Sequence, residues 1–237
     1  FMGMCSQNLK SARPLTNLLF MNQGGRFTEE SMARGLTEAE PTLVMRLHDI
    51  DTDGDLDLFV GNDVGRIYPD RFFLNDGRGH FSDSAHAMGL DDVGRGLGSD
   101  TMGVDIGDID LDGAPEIAVT SSNSDPLRLF HCDRTLRCTE VSASWGLRTA
   151  TGPFKWAVGF EDFDLDGDLD LFLVNGRVGS WKPEFSKEDP YAEPNQLFRG
   201  LGGMKWEEVQ PQGGTEPVLV GNSRGAAFAD YDEDGDV

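Results

Sequence analysis

An all-β fold built from a repeated unit of four short strands is predicted for this chain, on three observations. The motif D-x-D-x-D-G occurs four times, starting at Asp49, Asp108, Asp162 and Asp230. Each copy lies between short apolar runs rich in β-branched and aromatic residues. A hairpin-like pattern with a Gly-containing turn alternates with the motif. The motif starts are 59, 54 and 68 residues apart, and self-similarity at such a period is the mark of a structural array.

The elements follow in order. The runs before the motifs are 43–47, 102–106, 157–160 and 226–228, and those after them are 56–60, 117–119 and 169–174. Short runs of this composition, bounded by Gly or Asn, read as strands, so each motif is a loop joining two strands. The hairpin pattern begins as Asn17-Leu18-Leu19-Phe20-Met21-Asn22-Gln23-Gly24-Gly25-Arg26-Phe27. It returns at 71–81 and again from Asn195 to Trp206. Two short strands around a Gly turn make a hairpin. Gly35-Leu36, Gly89-Leu90 and Gly146-Leu147 close the units.

The loop chemistry points to a hard cation. In 49–57, carboxylates stand at positions 1, 3, 5, 7 and 9, as Asp49, Asp51, Asp53, Asp55 and Asp57. Those at 1, 3, 5 and 9 can fold inward around one point, position 7 can add a backbone carbonyl, and Gly54 supplies the sharp turn. The second loop supplies Asp108, Asp110, Asp112, Ala114 and Glu116, and the third supplies Asp162, Asp164, Asp166, Asp168 and Asp170. The fourth has Asp230, Asp232, Asp234 and Asp236 and stops at Val237, one residue short of a ninth position. An oxygen-only set suits Ca2+, with three complete sites and one truncated; magnesium prefers its waters and a stricter octahedron. Zinc, copper and iron call for His or Cys, which the loops lack. Four unneutralised carboxylates about 4–5 Å apart would repel by several kcal/mol per pair, which argues against a merely solvated acidic loop. An EF-hand needs a Glu at position 12 and flanking helices, whereas position 12 here is Val60, Val119 or Leu173.

Four strands per unit fit a blade, so the expected architecture is a β-propeller of four-stranded blades with calcium loops between first and second strands. The expected blades are 1–36 (incomplete), 43–90, 100–147, 155–213 with an insertion at 176–194, and the start of another at 223–237. Phe1-Met2-Gly3-Met4 aligns with Phe59-Val60-Gly61-Asn62, so the chain reads as a piece of a longer propeller. The alternative is a closed four-bladed ring in which 226–228 pairs with 1–4.

The loops resemble the FG-GAP or VCBS repeats of integrin-α-type propellers. Outside the three complete loops stand Asn175-Gly176-Arg177-Val178, Pro194-Asn195-Gln196-Leu197-Phe198-Arg199 and the stretch from Ser223 to Asp232. With these the whole unit resembles the ASPIC/UnbV (cartilage acidic protein-like) family. It implies an extracytoplasmic calcium-binding propeller, often of seven blades, without implying a reaction. The family's C-terminal ASPIC/UnbV domain would lie beyond Val237.

Net charge is −22, and 19 of the 42 acidic residues lie in the four loops, so the remainder is acidic too. This argues against nucleic acid and anionic membranes as partners. No apolar run reaches 18 residues, so membrane insertion is not expected. Cys132 and Cys138 take the places of the hairpin's Asn and Phe; a cross-strand disulfide and two free thiols both fit that placement. Cys5 has no evident partner. A bridge would suit an extracellular, cell-surface or periplasmic location.

No catalytic residue is expected. His48, His80, His86 and His131 show no metal-ligand spacing and read as surface or strand residues. Gly221-Asn222-Ser223-Arg224-Gly225 matches G-x-S-x-G, but a nucleophile elbow needs a helix after the serine and a later histidine, and no histidine follows His131. The run 94–98, Gly-Arg-Gly-Leu-Gly, precedes a strand and has no phosphate-binding context. The 176–194 insertion carries Arg177, Trp181, Lys182, Phe185, Tyr191, Pro183, Pro190 and Pro194. It reads either as a surface for protein or carbohydrate or as cover for a blade edge. Two functions stay open: a binding or adhesion module with structural calcium, and the scaffold of an enzyme or biosynthetic accessory protein.

Overall fold

A computed structural model of the chain describes residues 14–65, 67–90, 100–122, 126–147, 153–179, 185–232 and 234–235. Residues 1–5, 94–98, 181–183 and Asp236, singled out above, lie outside that description.

Three four-stranded sheets follow one another along the chain. The first contains Thr42–His48, Asp57–Asn62, Arg71–Asn75 and Phe81–Asp83. The second contains Thr101–Gly107, Glu116–Ser121, Arg128–Cys132 and Cys138–Glu140. The third contains Lys155–Glu161, Asp170–Asn175, Gln196–Gly200 and Trp206–Glu208. In all three, order in space equals order in sequence. Such short up-and-down sheets fit propeller blades. The second strands of the first two sheets are buried along their whole length. That explains why their sequences are near-continuous apolar runs. The fourth strands of these two sheets are largely exposed.

A further hairpin, Phe20–Gln23 with Arg26–Glu29, precedes these sheets, and Gly24 and Gly25 at its turn have φ of 64° and 89°. The closing Gly-Leu pairs prove to be helix-type caps. Leu36, Leu90 and Leu147 are buried, and their N–H groups donate to the carbonyls of Ser31, Ala85 and Ser142. The preceding glycines sit at φ of 91°, 82° and 91°, where any other residue is strained.

By packing, the chain divides into two compact units. One is the chain through Thr101 together with Asp133–Cys138, and the other is Met102–Cys132 with the chain from Thr139 onward. The core of the first gathers Leu19, Leu36, Leu58, Val60, Phe73 and Phe81. That of the second gathers Leu127, Leu129, Trp145, Leu147, Phe160, Leu171, Phe198 and Trp206 with their neighbours. Cys132 and Cys138 are disulfide-bonded, which settles the choice that their spacing leaves open.

Residues 226–228 correct an expectation. They form no strand, and Ala226 and Ala227 are exposed. No strand among the described residues supplies their backbone with partners. The segment is held instead by the Phe228 ring, which packs edge-on against Phe163 and Phe172. No helix among the described residues is long and apolar enough to cross a membrane.

Candidate metal centres

The acidic loops share one backbone. Position 4 takes the left-handed conformation in each complete loop, with φ of 60° at Thr52, 58° at Leu111 and 57° at Leu165. Non-glycine residues rarely hold this conformation, and such strain gathers at functional sites. Position 6 is left-handed too: Gly54, Gly113, Gly167 and Gly235 have φ of 95°, 85°, 95° and 99°. The N–H at position 6 donates to the carboxylate at position 1 in all four loops, at 3.0, 3.1, 2.9 and 2.8 Å. Each loop therefore closes on its own first carboxylate.

This closure brings side chains together. Carboxylate oxygens of Asp49, Asp51 and Asp53 lie within 4.8 Å of one another, as do those of Asp108, Asp110 and Asp112, of Asp162, Asp164 and Asp170, and of Asp230, Asp232 and Asp234. Asp57 and Asp166 stand outside these tightest groups. At position 7, the N–H of Asp55, Ala114 and Asp168 donates to the position 5 carboxylate. The side chains of Asp55 and Asp168 lie beside Gly77 and Gly202 of the hairpin turns, away from the clusters.

The ninth acids are buried anchors. Asp57 accepts from Ile50 N at 3.0 Å and from Asn75 N at 2.8 Å. Asp170 accepts from Phe163 N at 3.1 Å and Gly200 N at 2.8 Å. Glu116 accepts from Ile109 N at 2.7 Å, but its other oxygen meets His131 Nδ1 at 2.8 Å. Burial pushes all three carboxyls above their usual range, Glu116 to about 7. Burial also acts to lower His131, but the hydrogen bond and charge of Glu116, with Asp110 and Asp112, outweigh it and raise the imidazole.

These donors fit a hard divalent cation. Loops 49–57 and 162–170 present only oxygen to the cluster, the donor type such ions select. Among the described residues, no hydrogen-bond partner meets the buried Oδ1 atom of Asp108. An orphaned carboxylate oxygen is costly unless a cation meets it.

The structure also reveals residues that the sequence reading missed. His131, expected as an ordinary strand residue, joins Asp110 and Glu116 within 4.8 Å. Arg199 Nε lies 2.8 Å from Asp164 Oδ2. The strand register relates the two. Phe73, Phe130 and Phe198 pair with Leu58, Ile117 and Leu171, each one residue past the ninth acid. The residues that follow are Leu74, His131 and Arg199. Aligning the hairpin patterns by residue would have found this position, since Cys132 replaces Asn75. At the other end of the second strand of the first and third sheets, Asn62 bonds Glu40, which holds Arg71, and Arg177 pairs with Glu193 at 2.7 Å, both buried. Ser223 accompanies no helix; its N–H donates to Asn175 O.

A model described as FG-GAP-like repeat matches residues 49–119 and 162–237. Among curated proteins, Cartilage acidic protein 1 of Xenopus tropicalis is 30% identical over 190 residues, which cover 76% of this chain and 25% of that protein. Cartilage acidic protein 1 of Mus musculus is 28% identical over 192 residues, again 76% of this chain and 25% of that protein. The chain thus spans about a quarter of the length of these relatives.

Proposed function

This chain belongs to the FG-GAP-like repeat family, and from that premise we propose that it is part of an extracytoplasmic β-propeller whose calcium ions stiffen a protein-binding module. The blades would be 43–90, 100–147 and 155–213, with 1–36 and 223–237 belonging to further blades. The observation that carries the reading is the common loop backbone, which turns three carboxylates onto one point in each repeat. Calcium supplies the positive charge that these carboxylates lack. Asp49, Asp51, Asp53 and Asp57 would hold one ion, and Asp162, Asp164, Asp166 and Asp170 another. Asp108, Asp110, Asp112 and Glu116 would hold a third cation.

In this reading the ions do structural work. Each loop joins the first two strands of its sheet, so a cation fixes the angle at which the inner strands meet. The ninth acid also accepts from a third-strand amide in the first and third sheets, so the ion ties three strands together. The Cys132–Cys138 bridge supports an oxidising compartment.

Recognition is assigned to the 176–194 insertion. The buried Arg177–Glu193 pair pins its two ends. Between them Val178, Phe185 and Tyr191 are exposed, and an apolar set on a pinned loop suits a protein partner. Calorimetry with calcium on chelator-treated protein tests the reading: saturable binding at several sites is expected. A flat titration by a protein that keeps its fold would sink it.

A further inference from the structure

The loop at 108–116 differs from its two complete neighbours in three ways. Position 7 is Ala114, where the others have aspartate. Position 9 is Glu116, one methylene longer than Asp57 or Asp170. The third strand adds a nitrogen, since His131 Nδ1 stands 2.8 Å from Glu116 Oε1 and 3.7 Å from Asp110 Oδ2. We propose that Asp110, Glu116 and His131 form a mixed nitrogen–oxygen centre that takes a borderline transition cation, of the zinc or cobalt(II) class, in preference to calcium. The proposal rests on the reading that these loops are cation sites and says which cation this one selects.

The chemistry follows from the donors. Calcium takes oxygen ligands, while imidazole nitrogen suits zinc, cobalt and their neighbours. Two atoms bonded to one such ion at about 2.1 Å stand about 3.0–3.5 Å apart. The separations of 2.8 and 3.7 Å bracket that span, so a cation needs only small side-chain shifts to enter. Glu116 is fully buried and tied at its other oxygen by Ile109 N, so its carboxylate is held ready. The orphaned Oδ1 of Asp108 lies in the same loop and offers a further oxygen. The Trp145 ring packs beside the imidazole, with centroids 5.5 Å apart, and restrains its orientation.

An alternative is that His131 serves only as a cationic partner for Glu116. Cobalt(II) titration of the whole chain, carrying Cys5→Ser to remove the thiol outside the hairpin, separates the two. The titration is run in saturating calcium and followed by visible absorption and tryptophan fluorescence. The proposal expects one saturable cobalt site, quenching from the adjacent Trp145, and displacement by zinc. His131→Leu, which copies Leu74, should weaken cobalt binding at least tenfold. His131→Gln keeps a donor for Glu116 without the imidazole ligand, and should lose cobalt while keeping the fold by circular dichroism. Cobalt binding undiminished in His131→Gln, or no saturable quenching in the parent, overturns the proposal. If calcium still binds at 49–57 and 162–170, the reading of the loops survives that result. If neither cation binds anywhere, both fall.

Discussion

Arg199 Nε lies 2.8 Å from Asp164 Oδ2, on the strand position that Leu74 fills in the first sheet and His131 in the second. One register position therefore sets a different neighbour against the acid at position 3, His131 beside Asp110 in the second sheet and Arg199 beside Asp164 in the third. In the third sheet that neighbour is a permanent cation, which competes with a bound ion for the same carboxylate. Arg199 is exposed, so the competition is weak. Arg199→Leu is expected to strengthen calcium binding at loop 162–170 about two- to five-fold. Calorimetry on a protein carrying Asp51→Ala and Asp110→Ala, which disable the other complete loops, isolates that site. Unchanged or weaker binding would count against the competition.

Removal of calcium should destabilise the fold. A site with Kd of about 0.1 mM under about 1 mM free calcium adds about 1.4 kcal/mol. Several such sites are a large share of a typical total of roughly 5–15 kcal/mol. Excess chelator should therefore lower the melting temperature markedly. Asp51→Ala should remove the contribution of loop 49–57 alone, because its cluster partners are Asp49 and Asp53 of the same loop. A melting curve indifferent to chelator would mean that the loops close without metal.

The parts of the fold legible in the sequence were those that depend on local spacing. Alternate carboxylates and a glycine at position 6 define a loop wherever they occur, and the apolar runs beside them became strands at 42–48, 57–62, 101–107 and 116–121. What failed depends on partners distant in sequence. Residues 226–228 have the composition of a strand, but pairing makes a strand, and among the described residues the segment is anchored by Phe228 against Phe163 and Phe172. His131 was passed over because it is fifteen residues from Glu116, and only the strand register brings the two to 2.8 Å. The left-handed Leu111 and Leu165 were invisible for a different reason: leucine does not advertise a positive φ, and the loop closure imposes it.

Arg177 and Glu193 offer a second test of long-range structure. Both are 3% exposed at the side chain and 2.7 Å apart, and Glu193 also accepts from Phe154 N at 2.8 Å. Removing Glu193 deprives a buried guanidinium of its carboxylate, which costs about 3–5 kcal/mol. Glu193→Ala is expected to lower the urea midpoint by a corresponding amount. The double variant with Arg177→Met should recover part of the loss, since an apolar pair carries no desolvation cost. If the double variant is as unstable as the sum of the singles, the two residues are not coupled.

The response to pH should change sign with calcium. In chelated protein, Glu116 holds its proton up to about 7, well above the ordinary glutamate range, chiefly because it is buried. His131, Asp57 and Asp170 are raised as well. The folded state therefore binds more protons than the unfolded chain through this window. The stability these groups contribute is full below their unfolded values and is lost as pH rises through the folded ones. Chelated protein should accordingly melt higher at about pH 5.5 than at about pH 8. The depressed acids Glu29, Asp76 and Asp133 oppose this only at lower pH, as they approach the ordinary carboxylate range. Calcium binding requires the same loop carboxylates to be deprotonated, so protons compete with the ion. Calcium-loaded protein should melt higher at about pH 8 than at about pH 5.5. Melting curves at the two pH values, with and without calcium, give four temperatures, and the same ordering in both pairs would refute the assignment of these carboxylates to the ion.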